Sequence, residues 1–237
     1  MIFRKPVFWI TATLLFIGGL FYSVQVFPKA FAILNVDLKM DREAAFSQSS
    51  TLAENNNWGP DNYNQVASFS HDTRTQNFVE LDAGGVEKVS SLMQDGLYHF
   101  YTWTVRHYRE HEPNETRISF TPAGDFYGFK ETLAETEKGA SLGAGEARVI
   151  AENFVQNETR IQLVNFEAIE TSEEVMPSER IDHTFVYQRT KEQIGDGFFR
   201  LKLVVSGDKV TELKHFIKVP EKFSRRFEEM RSANNTL

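Results

Sequence analysis

The feature that most constrains this chain is an uncharged run of 23 residues, PVFWITATLLFIGGLFYSVQVFP, between Lys5 and Lys29. At about 1.5 Å of rise per helical residue it is long enough to cross a hydrocarbon layer of about 30 Å. Thr11, Thr13, Ser23 and Gln25 are its polar interruptions. Arg4 and Lys5 on the short leading side favour a cytoplasmic N-terminus, which sends everything after residue 29 to the opposite face of the membrane; Lys29 and Lys39 make that bias modest. Two other readings stay open. Ala30-Phe31-Ala32 matches the small-x-small pattern of signal peptidases, so the segment would be a signal peptide cut after Ala32. Signal sequences carry shorter apolar regions, of roughly 7–15 residues, which favours a retained anchor. The third reading is a buried helix of a soluble protein.

The rest of the chain is acidic. The formal net charge of -7 comes from 26 Lys+Arg against 33 Asp+Glu. Arg4, Lys5 and Lys29 are the only charges up to residue 29, so beyond it 23 cations face 33 acids, a balance of -10. Such a surface is a poor partner for nucleic acid. With no cysteine, disulfides, thiol nucleophiles and cysteine zinc sites are excluded together. The 21 phenylalanines are the material for the core.

Beyond the anchor the pattern predicts an α+β fold of two related helix-plus-antiparallel-sheet units and a C-terminal amphipathic helix. The first helix starts at Asp41 as N-cap and ends at Trp58-Gly59-Pro60, with Ala45, Ser49, Leu52 and Ala53 on its buried face. The second runs over about 144–154 with Ala147, Ile150, Ala151 and Phe154 as its stripe. Thr116–Asp125 aligns without gaps on Phe199–Asp208, each ending in a Gly-Asp hairpin turn, an offset of 83 (199 minus 116). At the same offset Tyr101–Tyr108 falls on Thr184–Lys191, with Arg106 over Arg189. Gly85–Gln94 is an extra helical element of the first unit, and Lys130–Gly145 reads as a linker. The expected organisation is therefore cytoplasmic tip and anchor 1–29, first unit 30–139, second unit 140–219, and an amphipathic helix 220–237. That last helix carries Phe223, Phe227 and Met230 on one stripe. It either docks on the second sheet or leads toward a further membrane segment, and the second is favoured.

Catalytic chemistry is sparse. His107-Tyr108-Arg109-Glu110-His111 fits the H-x-x-E-H pattern of inverted zinc proteases, which requires a helix to bring the two imidazoles together. The residues before it alternate as a strand and Pro113 follows, so the histidines would sit about 13 Å apart. A metal-dependent hydrolase on His107, Glu110 and His111 is thus the weakest hypothesis. Glu167–Glu174 is acidic without a calcium-loop pattern and is expected to be a solvated edge. Gly195-Asp196-Gly197 is a turn, no nucleotide-binding pattern is present, and sequons stand at Asn114, Asn157 and Asn234. No catalytic, metal or cofactor residue is assigned. His99, Tyr101 and Trp103 share one strand face and form a candidate partner-binding row, although such rows are more often core.

The order of parts, with FPKAFAILNVDLKMDREAA, NWGP, QNFVELDAGG, YTWTVRHY, DHTFVYQR and RLKLVVSGDKVTELKHFIKVPEKFSRRFEEMRSANN, resembles the N-terminal extracytoplasmic region of large bacterial CPBP-family intramembrane endopeptidases, the CAAX-protease and bacteriocin-processing group. The helix-then-sheet order of each unit also resembles PepSY-type domains. The first resemblance implies a non-catalytic module joined to a bundle of membrane helices that bears the active site. The family's Glu-Glu-x-x-x-Arg box is not matched: Arg180 comes too late after Glu173-Glu174, and Arg231 too early after Glu228-Glu229. No histidine lies in an apolar helix, so no catalytic residue carries over. The expectation is a single-pass membrane protein without cofactor, a piece of a longer protease or a stand-alone relative. Its partners would be the membrane and a peptide, a protein substrate or the protease's own bundle; a free periplasmic or surface binding protein is the alternative.

Overall fold

A computed structural model describes residues 5–30, 33 and 36–234. Six helices and eight strands follow in chain order: α1 (Pro6–Ala30), α2 (Arg42–Asn56), β1 (Asn64–His71), α3 (Thr73–Asp82), α4 (Gly85–Gln94), β2 (Tyr101–Tyr108), β3 (Glu115–Phe120) and β4 (Phe126–Thr132), then α5 (Ala144–Glu158), β5 (Phe166–Val175), β6 (Ile181–Ile194), β7 (Gly197–Ser206), β8 (Lys209–Lys218) and α6 (Glu221–Asn234). Helix α1 touches the body at α4 and is otherwise open. Its span Pro6–Phe27 has mean hydropathy 1.9 and no buried residue, with Trp9, Leu14, Phe16 and Phe21 all exposed. A free apolar surface of this size in water is unstable, so the helix needs lipid or a partner around it. The small-x-small pattern at 30–32 extends into residues outside the described set, as does the Asn234 sequon.

The strands form one antiparallel sheet in the order β1-β2-β3-β4-β8-β7-β6-β5. The two expected sheets are therefore joined edge to edge, and the order is a mirror of itself about the β4–β8 contact. A single cross-strand row shows the inner face: Ala67, Val105, Ile118, Phe129, Leu213, Leu203 and Phe185 lie opposite one another strand by strand. Helix α2 covers this face over β1 and β2, and α5 covers it over β6, β7 and β8. The neighbouring row, Arg106, Arg117, Lys130 and Glu212, lies on the outer face. Apolar-in and polar-out alternation on one sheet with helices on a single side is the α+β arrangement.

Registers correct one part of the repeat. Ile118 and Leu201 are equivalent at an offset of 83, but Val105 pairs with Ile118 whereas Tyr187 pairs with Leu201. Strand β2 therefore matches β6 at 82 (187 minus 105), not 83. Because side chains alternate along a strand, that one-residue slip decides the face: Arg106 points outward, and Arg189 is the inward equivalent of His107. The extra residue is absorbed in the irregular pairing between Gln188 and Gln193.

The seam between halves is short in hydrogen bonds and dense in side chains. Only Phe129↔Leu213 and Lys130↔Glu212 pair across it. Gly128 permits the approach, since a Cβ there would lie 2.4 Å from the Leu213 carbonyl oxygen. Trp58 stacks on Phe129 at 3.9 Å and reaches Phe154 of α5 at 6.4 Å, so the NWGP segment of the first half packs on both halves. Lys209 donates to Asn57 O at 2.6 Å and bridges Glu131 at 2.7 Å, while Gly59 N donates to Glu131 Oε1 at 2.8 Å.

Local signals explain the main helices. Asp41 Oδ1 accepts from Ala44 N at 2.8 Å and opens α2; Asn57 closes it in the left-handed region with φ 55°. Ala45, Ser49 and Ala53 are buried on its inner stripe, as are Ala147, Ala151 and Val155 on α5. The small residues let both helices lie close on the sheet. Helix α3 has no counterpart among the elements expected from sequence. It carries Phe78 and Val79 into the core and packs on the β6–β7 turn, where a Cβ on Gly197 would meet Phe78 Cε1 at 2.6 Å.

Two expectations change. The segment 130–145 is not a free linker: its first residues complete β4, and 133–143 is strapped down. Arg180, 2% exposed, donates to Asp182 through two nitrogens at 2.8 and 3.2 Å, and to the carbonyls of Ala134 at 3.2 Å and Glu137 at 2.7 Å. The expected cut after residue 139 falls in this strap. Helix α6 does not dock on the second sheet; its first turns pack on α3 through Phe223 against Phe78 at 5.2 Å, and Arg74 bonds Ser224 at 2.7 Å. Met230 remains 46% exposed.

Candidate functional site

A cleft of about 820 Å³ opens on the inner face beside the seam. Strands β4, β7 and β8 make its floor. The loop before β2, the β3–β4 turn and the α5–β5 segment make its walls. Its volume is in the range of roughly 300–1,000 Å³ typical of ligand sites.

The floor is aromatic and uncharged. Tyr127 lies 4.4 Å from the His215 ring and 5.1 Å from the His99 ring, and its hydroxyl accepts from His99 N at 3.2 Å. Leu201 stands opposite His215 on the neighbouring strand, and Phe199 contacts His215 at 5.9 Å. Burial pushes the His215 imidazole down to about 3, with His99 adding to the effect, and lowers His99 as well. Burial raises the Tyr127 phenol far above its ordinary range. All three are neutral at pH 7, because charging any of them here means losing water that nothing replaces.

One cation faces this floor. Arg189 lies above the Phe166 ring at 5.9 Å, and its Nε is buried without a hydrogen-bond partner. His215 Nδ1 is also buried and unpartnered. The nearest acid to Arg189 is Glu192 at 4.0 Å, which Lys88 also approaches at 3.4 Å. One carboxylate thus serves two cations. The rim carries the exposed acids Asp95, Asp125 and Glu158, with Arg160 3.9 Å from Asp125.

The first half supplies the matching place, and it is filled. His107, the equivalent of Arg189, is fully buried; its Nε2 lies 3.0 Å from Gln65 Nε2 and 3.1 Å from Ser49 Oγ, and Tyr63 stacks on the ring at 3.9 Å. Burial brings this imidazole down to about 4. Gln65 stands opposite His107 as Phe166 stands opposite Arg189. Gly59 and the Trp58 cluster close over the first site, while the second keeps its cleft.

Of the three residues picked from sequence as a binding row, only His99 lines the cleft. Tyr101 is 5% exposed and stacked on His71 at 4.4 Å; Trp103 is half-buried and donates through Nε1 to Met40 O at 3.1 Å. Both belong to the packing of the first half. Glu110 and His111 sit after β2, His111 with φ 65°, apart from the buried His107. Glu167–Glu174 lies on β5, an edge strand exposed beyond its first residue, where charge discourages pairing with other chains. Arg189, Tyr127 and His215 were missed because nothing local marks them: they sit on three strands and meet only through the joining of the halves. No protein-family model, curated protein or solved structure matches this chain.

Proposed function

We propose that the chain is a membrane-anchored, extracytoplasmic, non-catalytic module of a CPBP-type intramembrane protease, which holds or gates a peptide or protein partner outside the membrane. The observation that carries this reading is the apolar α1, with no buried residue over Pro6–Phe27, joined to a body with an open cleft. The resemblance of the whole chain to the outer region of those proteases supports it. In this reading α1 spans the bilayer with Arg4 and Lys5 in the cytoplasm.

The lack of cysteine makes the topology directly measurable, since an introduced thiol is the only one. In bacterial spheroplasts, Ser172→Cys on the exposed edge strand should react with a membrane-impermeant maleimide, and Ile2→Cys only after lysis. The reverse pattern would overturn the orientation. Recovery of a shortened soluble chain would instead establish the free binding protein.

A further inference from the structure

We infer that the cleft captures the free C-terminal end of a peptide: an apolar last residue on the Tyr127–Leu201–Phe199 floor, its carboxylate on Arg189, and a basic residue just upstream at the acidic rim. The inference rests on the reading of this chain as a peptide-binding module and names the chemistry its site selects.

Three observations converge on it. A guanidinium Nε and an imidazole Nδ1 are buried in the lining of one cleft with no partner. Leaving a buried polar nitrogen unpaired forfeits its hydration without replacement, so an arriving oxygen that satisfies it is favoured. Arg189 is also undersatisfied in charge, because Glu192 is shared with Lys88. A carboxylate suits that position better than a neutral carbonyl, since charge-assisted bonds to arginine are stronger and are made in pairs. Next to it the floor is apolar and its histidines are neutral, which fits an aromatic or branched side chain and repels a second charge. Further out the sign reverses to Asp95, Asp125 and Glu158. Arg189 stands in the wall with its side chain 26% exposed, the floor of Leu201, Leu213 and Phe199 is buried, and the three acids stand exposed at the rim together with Arg160. A chain end with its carboxylate on Arg189, its last side chain on the floor and a lysine or arginine at the rim acids is complementary to that arrangement.

The sister position strengthens the case. At His107 the same place on the sheet is filled by Tyr63, Gln65 and Ser49 from the chain itself. In the second half Val164, the residue two before Phe166 as Tyr63 is two before Gln65, turns away and is 88% exposed. The space that an intramolecular side chain occupies in one copy is left free in the other.

The test is titration calorimetry on the full chain in detergent micelles with alanyl-lysyl-alanyl-phenylalanine as the free acid, its C-terminal carboxamide, and phenylalanine alone. The free acid should bind at least about tenfold more tightly than the carboxamide and than phenylalanine. Arg189→Gln should bring the acid to the level of the carboxamide and leave the carboxamide unchanged; Arg189→Lys, which keeps the charge but not the fork, should fall between. Thermal melts of both variants report whether the fold is kept. Equal affinity for acid and carboxamide would overturn carboxylate recognition while leaving a peptide-binding module intact. Equal affinity for phenylalanine and the tetrapeptide would overturn the peptide part. No binding of any of them would overturn the inference, with the anchor and its orientation still decided by the thiol labelling.

Discussion

The two halves of the sheet place different chemistry at one equivalent position. In the first, His107 is sealed under α2 beside Gln65, Ser49 and Tyr63. In the second, Arg189 faces a cleft of about 820 Å³; both His107 Nδ1 and Arg189 Nε are buried without a partner, but of the two only Arg189 borders that cleft. The scaffold is shared, and the difference lies in the segment that leaves each covering helix. After α2 the chain brings in Trp58, which stacks on Phe129 and closes the seam; after α5 the segment 159–165 carries no aromatic ring and becomes a wall of the cleft. The first half thus fills the inner face at the seam, and the second leaves it open beside the seam.

The largest way to break this asymmetry is Trp58→Ala. Trp58 is 5% exposed and its ring lies between the halves, so the change should cost about 3–5 kcal/mol in urea unfolding and loosen the filled side selectively. A loss below about 1 kcal/mol would mean that the seam does not depend on this ring. Next comes Arg180→Ala. It leaves Asp182 and the carbonyls of Ala134 and Glu137 without their donor, at a cost of about 3 kcal/mol, and should free the strap 133–143 for proteolysis before the sheet unfolds.

The third prediction concerns pH. His107 is held neutral in the fold, down to about 4, against an ordinary 6.5 when unfolded. Below 6.5 the unfolded chain binds a proton that the folded one does not. The stability this gives is whole above pH 6.5, falls as the pH drops toward 4, and is then lost; roughly 3 kcal/mol is involved. His99 and His215 act in the same direction. His107→Gln should flatten the curve between pH 6.5 and 4 in chemical denaturation. An unchanged slope would place the acid sensitivity elsewhere.

Much of the first half was legible because its signals are local. Asp41 and the Trp58-Gly59-Pro60 stop bound α2, the spacing of Val86, Val89 and Met93 marks α4, and Gly124-Asp125 marks the β3–β4 turn. Helix α3 was not, since TRTQNFVELD offers only the adjacent Phe78 and Val79 as buried apolar residues and lacks a stripe. The joining of the sheets was invisible because it rests on two residue pairs far apart in sequence and on a glycine that reads like any other. The cleft was hidden for the same reason. His99 could be picked from its strand, but Arg189 was aligned with Arg106 instead of His107 by a one-residue slip that only the pairing of Tyr187 with Leu201 reveals.

Hydrogen exchange with and without the free-acid tetrapeptide tests the central contrast most directly. Binding at the open half should slow exchange in 95–99, 121–127 and 159–166 and leave 57–65 of the filled half unchanged. Equal protection in both halves, or protection at 57–65 alone, would contradict the assignment of one copy to structure and the other to binding.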